Sequence, residues 1–124
     1  MIKTTTSSIE VDSMGVIENT FKTRSAFKPA YVLEQANTIR QLLNGKKALI
    51  IVNVLKVDQI KFVHYSRLLE ENNLENATAM AFLVNSVFQK KAFNIWYGMK
   101  KKNCPVMAFT NKEEALVWLK SHAE

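Results

Sequence analysis

Residues 48–52 read Ala-Leu-Ile-Ile-Val, an uninterrupted apolar run. A continuous apolar strand is typical of parallel sheets whose faces are covered by helices, so the run predicts a buried strand of an α/β fold. Upstream of it, Tyr31 to Asn44 carries apolar residues at helical spacing, and Gly45 follows where a left-handed helix cap belongs. The run and its neighbour therefore predict a helix followed by a covered strand.

The same alternation continues toward the C-terminus. The patterns predict a helix over about 58–73, a strand over 77–84, a helix opening at Ser86 and a strand over 106–109. Ser86-x-x-Gln89 fits a capping box, and a last helix can begin with either Thr110-x-x-Glu113 or Asn111-x-x-Glu114. In the helix over 58–73 the expected inner face groups four apolar residues: Phe62, Tyr65, Leu68 and Leu69.

The N-terminal third has a different pattern. Thr4 to Val11 and Val16 to Lys22 are rich in β-branched residues, and Asp12-Ser13-Met14-Gly15 between them predicts a hairpin turn. Residues 23–29 are expected to form a loop, because Pro29 disfavours helical geometry at the residue before it. The fold class that follows is α/β: one domain over 1–124, with a mixed sheet of about five strands (an N-terminal β-hairpin, then βαβ units) and about four helices.

The composition and the N-terminal residues indicate the cellular compartment of the protein. The chain has 124 residues, 48% of them hydrophobic, which suffices for a core without disulfide or metal staples. Cys104 is the single cysteine, and the first residues lack the apolar core of a signal peptide. Apolar runs are far shorter than the ~20 residues of a membrane helix. We therefore expect a cytoplasmic protein without a membrane span.

The net charge of +6 raises the question of nucleic-acid binding. The densest basic cluster is Lys100-Lys101-Lys102. Nucleic-acid binders usually combine such a patch with stacking aromatic residues or a known motif, and here the nearby aromatic residues are needed for packing. The pattern argues against nucleic acid as a partner.

Residues able to support catalysis are few and scattered. His64 is interpreted as a solvated helix residue, and Cys104, just before Pro105, as a small buried hydrophobic residue. Two separated histidines and one cysteine match no zinc spacing, and the glycines form no phosphate-binding loop. The acidic group Glu70, Glu71 and Glu75 is interpreted as a solvated edge. The sequence predicts no enzyme activity, catalytic residue, metal or cofactor.

The helix that opens at Ser86 is unusual in its aromatic content. Its residues Phe88, Ala92, Ile95, Trp96 and Met99 recur at offsets of four, seven, eight and eleven, which predicts an inward stripe. Phe93 and Tyr97 lie beside that stripe and widen the apolar surface. Three interpretations remain open: neighbours cover the helix, it forms a subunit interface, or it lines an apolar-ligand pocket. The candidate interface or ligand surface is Phe88, Phe93, Trp96, Tyr97 and Met99.

Three segments, considered together with the chain's ending, resemble a known bacterial family. They are residues 45–53 (GKKALIIVN), 77–86 (ATAMAFLVNS) and 104–110 (CPVMAFT), and the ending Glu113-Glu114-Ala115-Leu116-Val117-Trp118-Leu119 is the most characteristic. In this order they resemble the SpoIIAA-like (STAS/SEC14-like) small domains, over nearly the whole chain. The resemblance implies a mixed sheet that begins with a hairpin, and a non-enzymatic role.

The same resemblance bears on function in two ways. Anti-sigma-factor antagonists of the STAS type carry a phosphorylatable serine after a central strand. Residues 53–59 here (NVLKVDQ) hold no serine or threonine, so we do not expect regulation by phosphorylation at this position. The likeness to SEC14 domains implies binding of an apolar ligand. The expected function is a protein-interaction or regulatory domain that self-associates, with a homodimer as the expected state. The alternative is a carrier or sensor of a small apolar, lipid-like molecule.

Overall fold

A computed structural model describes residues 1–70, 75–99 and 104–123, and shows an α/β fold built on one mixed sheet. Six strands lie side by side in chain order; the first three run antiparallel, and the third to the sixth run parallel. Four α-helices follow within the described residues. The strands are β1 Ile2–Lys3, β2 Ser7–Val11, β3 Ile17–Phe21, β4 Ala48–Asn53, β5 Ala77–Leu83 and β6 Val106–Phe109, and the helices are α1 Pro29–Leu43, α2 Phe62–Leu68, α3 Val87–Gly98 and α4 Lys112–Lys120.

The fold class predicted from the sequence is confirmed, with one strand more than expected. The predicted strand from Thr4 to Val11 begins only at Ser7, because its first residues form a turn, in which the Ser7 backbone N–H donates to Thr4 Oγ1 at 3.0 Å. This turn folds Ile2–Lys3 back onto the strand as β1. The predicted hairpin is confirmed: β2 and β3 are antiparallel, and Gly15 has φ +84°, a left-handed conformation that suits glycine.

The ends of the helices differ from the predictions for local reasons. α1 begins two residues early, because Pro29 can occupy a first helical turn, where its missing N–H is not needed. Gly45 is left-handed with φ +87°, as predicted, and the C-cap residue before it, Asn44, is left-handed as well, with φ 48°. Residues 24–27, expected to be loop, form a short 3-10 helix.

The second helix is shorter at its start than the sequence predicts. It begins at Phe62 rather than near Asp58, because the residues before it form a turn with Val57 buried. In this turn the Val57 backbone N–H donates to the Val54 carbonyl at 3.0 Å. Gln59 then adopts a left-handed backbone conformation, which no helix could include. The helix also ends at Leu68, with Leu69 as its C-cap, and therefore stops short of the predicted end at Asn73, a residue outside the described ones.

The sheet carries helices on both faces. Ile50 and Val52 of β4 point into the larger core beneath α1, α2 and α3, whereas Ile51 between them points into a smaller core with Ala115 and Leu119 of α4. Alternate residues of a strand face opposite sides of a sheet, so α3 and α4 lie on opposite faces. No helix of the described residues is both long and apolar enough to cross a membrane.

Candidate interaction surface

The start of α3 is anchored by polar contacts. Ser86 Oγ accepts a hydrogen bond from the Gln89 backbone N–H at 3.2 Å, as its capping position predicts. The second half of the predicted capping box does not form: Gln89 Nε2 donates instead to the carbonyl of Ile60, ahead of α2, at 3.4 Å. α3 is therefore tied both to its own first turn and to the segment that leads into α2.

The inward side of α3 is formed by Phe93 and Tyr97, which are both buried. The Phe93 ring packs edge-on against Tyr65 with a centroid distance of 4.9 Å and lies 5.0 Å from the Phe82 ring. Tyr97 Oη donates to the Cys104 carbonyl at 3.2 Å, which links the end of α3 to the approach to β6. As core residues, Phe93 and Tyr97 are not part of an exposed surface.

The predicted inward stripe of α3 is wrong, because three of its large members face solvent, and only Trp96 packs partly against the core. The exposed fractions of Phe88, Ile95 and Met99 are 82%, 68% and 82%. The three residues fall within a narrow sector of the helix, since offsets of seven and eleven positions are close to whole turns. We call Phe88, Ile95 and Met99 the α3 outer face. It is a row of large apolar side chains with no cover from the described part of the chain.

Trp96 and Phe62 extend this apolar surface toward α2. Their rings are stacked with a centroid distance of 5.2 Å and an interplanar angle of 2°. Trp96 is half-buried, and Phe62 and its neighbour Val63 are exposed. The sequence placed Phe62 on the inner face of its helix, which is wrong. The signal that could have identified the exposed position of Val63 was its failure to fit the apolar stripe of that helix.

The charge at this surface is positive. α3 carries Lys90, half-buried, and Lys91, exposed, and it contains no acidic residue. Lys91 lies four positions before Ile95, so the two side chains are neighbours on the helix. The α3 outer face is thus an apolar row with a basic margin. The cluster Lys100–Lys102 lies outside the described residues.

His64 has a structural position rather than the solvated one the sequence predicted. Its Nδ1 accepts a hydrogen bond from the Lys61 backbone N–H at 2.9 Å, and its ring lies 5.3 Å from that of Phe27. Burial lowers the pKa of the imidazole, and the neighbouring cations of Arg67, Arg24 and Lys61 lower it further. The neutral imidazole accepts the bond that begins α2.

Cys104 lies in the larger core, as predicted, beside the first residues of β6. Burial raises the pKa of its thiol. Since the thiolate is the nucleophilic form, this environment makes the sulfur poorly reactive at neutral pH. Its backbone carbonyl serves as the acceptor for Tyr97.

Two carboxylates, those of Glu75 and Glu18, are engaged in surface pairs or sheet contacts. Glu75 Oε1 lies 2.6 Å from Arg40 Nε, and Glu18 Oε1 lies 2.6 Å from Lys112 Nζ. The other Glu18 oxygen accepts from Asn53 Nδ2 at 3.0 Å at the end of β4. Among the described residues no three histidine, cysteine or acidic side chains are grouped so as to hold a metal ion. Glu71 of the predicted acidic edge lies outside these residues.

A small cavity lies between α1 and the sheet, with a volume of about 40 Å³. Its walls are largely apolar and include Val32 and Ile39 of α1, together with the polar pair Asn19 and Gln35. A buried water needs roughly 10–15 Å³ of such space, and a cavity that takes one benzene measures about 150 Å³. This volume fits a few waters and is too small for a lipid chain.

The architecture matches solved structures of low sequence identity. An uncharacterized protein of the DUF3478 family with a SpoIIAA-like fold, from Shewanella loihica PV-4, superposes with a TM-score of 0.57 at 14% identity, over 96% of this chain and 98% of that one. A protein of unknown function from Arthrobacter sp. FB24 is 20% identical over 96% of each chain, with a TM-score of 0.36. The first of these shows that the chain has a SpoIIAA-like fold, as the resemblance implied.

Sequence comparison assigns the family without assigning an activity. No curated protein matches the chain at a significant level. The family model described as Domain of unknown function (DUF7793) matches residues 11–123, from the end of β2 to beyond α4. This chain therefore belongs to the DUF7793 family, and it has a SpoIIAA-like fold.

Proposed function

We propose that this chain is a non-catalytic protein-interaction domain that self-associates through the α3 outer face. The observation that carries the proposal is the alignment of Phe88, Ile95 and Met99 on the solvent side of one helix. Removing apolar surface from water contributes about 25 cal/mol per Å², so exposed large side chains aligned on one side of a helix favour association. Patches of this kind on soluble domains commonly mark interaction sites.

The composition of the surface supports the proposal. Aromatic residues and methionine are enriched in interface cores, and charged residues are depleted there. Here Phe62, Trp96, Phe88 and Met99 supply aromatic and thioether groups, while the exposed Lys91 lies at the margin. The surface thus has the apolar centre and polar rim of a protein interface.

The rigidity of the surface also supports binding. α3 is held by the Ser86 cap at its start and by the packing of Phe93 against Tyr65 and Phe82 in its middle. A surface that is already ordered loses less conformational entropy on binding than a mobile one. The side chains of the α3 outer face are presented by a fixed backbone.

Two further observations weigh on the alternatives. The cavity beneath α1 is smaller than one that takes a benzene molecule, so this cavity does not fit the lipid-like molecule that the alternative requires. His64 and Cys104 are engaged in the structure of α2 and of the core, which supports the non-catalytic part of the proposal.

Sedimentation velocity from micromolar to near-millimolar concentration tests the proposal. We expect the wild-type chain to associate reversibly and Ile95→Asp to stay monomeric, with an unchanged circular dichroism spectrum. Leu33→Asp, at an exposed position of α1, is the matched control and should associate like the wild type. A wild-type chain that is monomeric throughout, or an Ile95→Asp variant that associates normally, would show the proposal to be wrong.

A further inference from the structure

The outward side of α4 is a second exposed apolar surface, with the opposite charge at one end. Val117 is 72% exposed and lies in a shallow open depression together with Glu113, Glu114, Trp118 and Ser121. Both glutamates are solvent-exposed. We call these five residues the α4 outer face.

The shape of the α4 outer face is held by its own helix and by the core. Asn111 Oδ1 caps the helix by accepting from the backbone N–H groups of Glu113 at 2.8 Å and Glu114 at 3.2 Å. Trp118 packs against Phe109 of β6 at a centroid distance of 5.6 Å. The backbone of the first helical turn and the apolar floor of the depression therefore have set positions.

Pairing of α3 with itself leaves its charges unmatched. Every charged residue of α3 is a lysine, so two copies of α3 placed face to face offer no carboxylate to pair with Lys91. Like charges opposed across an interface weaken it, and the chain already carries a net charge of +6. The complementary surface for the α3 outer face must supply acidic groups beside apolar ones.

The α4 outer face meets that requirement at matching spacing. Lys91 precedes Ile95 by four positions, and Glu113 precedes Val117 by four. With the two helices parallel, the Lys91 ammonium lies near the Glu113 carboxylate while Ile95 meets Val117. An antiparallel arrangement would instead place Lys91 opposite Ser121, next to the exposed Lys120 and with no carboxylate there, so charge selects the parallel one.

We infer that a second copy of the chain docks its α4 outer face on the α3 outer face, in a head-to-tail contact. This inference rests on the proposed self-association and names its geometry. Since α3 and α4 lie on opposite faces of the sheet, each copy in a pair keeps one surface unoccupied. A contact between two different surfaces closes into a ring or continues as a chain, rather than stopping at a twofold dimer.

Complementation between two variants tests this geometry. Ile95→Asp disables the α3 outer face and Val117→Asp the α4 outer face, so each variant alone should be monomeric by native mass spectrometry. When the two variants are mixed in equal amounts, Ile95→Asp contributes an intact α4 outer face and Val117→Asp an intact α3 outer face. They should therefore form a heterodimer and no larger assembly. Leu33→Asp adds the same negative charge outside both outer faces, so mixing it with either variant controls for the effect of charge alone.

Charge reversal provides a second test that does not depend on the apolar contacts. Lys91→Glu and Glu113→Lys should each weaken association at least about tenfold, and the two reversals in one chain should restore it. Restoration is expected because the new glutamate of one copy then faces the new lysine of the next.

The failures of the two proposals are distinguishable. If the wild-type chain does not associate, both the proposed function and the head-to-tail geometry are wrong. If Val117→Asp associates like the wild type while Ile95→Asp is monomeric, α3 pairs with itself, and only the head-to-tail inference is overturned. Two monomeric variants that remain monomeric when mixed also overturn it.

Discussion

The side-chain amide of Asn94 on α3 pairs with the backbone of Ala108 on β6 through two hydrogen bonds. Asn94 Oδ1 accepts from the Ala108 N–H at 2.8 Å, and Asn94 Nδ2 donates to the Ala108 carbonyl at 3.2 Å. β6 is an edge strand whose sheet partner is β5. The amide therefore replaces a neighbouring strand and protects an edge that would otherwise invite another chain.

Replacement of this amide should loosen the edge of the sheet. We expect Asn94→Ala to lower the free energy of unfolding by about 1–3 kcal/mol, because two backbone groups of Ala108 lose their partners. The Ala108 amide proton should also exchange faster with solvent. The measurements are urea unfolding and hydrogen exchange followed by NMR. Asn37→Ala, on the exposed side of α1, controls for the better helix propensity of alanine, and removes one exposed hydrogen bond from Arg40 Nη1 at 2.7 Å. Unchanged exchange at Ala108 would contradict the edge-closing role.

The two sides of α3 predict opposite results for matched substitutions. Phe93→Ala should lower the free energy of unfolding by about 3–5 kcal/mol, because it removes a buried ring from contact with Tyr65 and Phe82. Phe88→Ala should change stability by less than about 0.5 kcal/mol and should weaken self-association. Thermal unfolding and sedimentation measure the two effects. A reversed order of stabilities would show that α3 is oriented as the sequence predicted.

His64 predicts a pH dependence with a defined sign. The pKa of its imidazole is lowered in the folded chain from an ordinary value of 6.5, so the unfolded chain binds more protons just below that pH. The free energy of unfolding should therefore fall as the pH drops below about 6.5, and level off beneath the folded pKa. The stability difference between wild type and His64→Gln, measured by urea unfolding from about pH 8 to about pH 5, isolates this contribution. A difference independent of pH would contradict the assignment.

The buried amides of Asn19 and Gln35 predict a double-mutant result. Asn19 Nδ2 donates to Gln35 Oε1 at 2.9 Å, and Gln35 Nε2 donates to the Ala26 carbonyl at 3.0 Å. Gln35→Met should lower the free energy of unfolding by about 1–3 kcal/mol for each polar group left unpaired in the core. Adding Asn19→Leu removes one of those groups, so the double variant should recover part of the loss in urea unfolding. Simple additivity of the two substitutions would show that the amides act independently.

Local features of the sequence predicted most of the framework. The strands over 48–53, 77–83 and 106–109 coincide with apolar runs. Such runs are buried in the sheet whichever side of each neighbouring helix faces it. The caps at Ser86 and Asn111 and the turn at Gly15 depend on chemistry within a few residues. Such signals need no knowledge of distant contacts.

The start of α2 shows where local reasoning fails. The sequence from Asp58 onward is compatible with a helix, but the core takes up Val57 and the turn before it, and this delays the helix to Phe62. Phe62 is exposed because α2 packs against the core through Tyr65 and Leu68.

The sequence by itself determined the α/β framework, its hairpin start and the position of each parallel strand, because apolar runs and caps act within their own segments. Only the tertiary structure decided which side of α3 became a surface. That helix is apolar on two sides, so its own spacing favours Phe88, Ile95 and Met99 no less than Phe93 and Tyr97. The rings of Tyr65 and Phe82, which come from other elements, hold Phe93 inward. The Cys104 carbonyl holds Tyr97, and the edge of β6 holds Asn94, so the remaining apolar row is left in solvent.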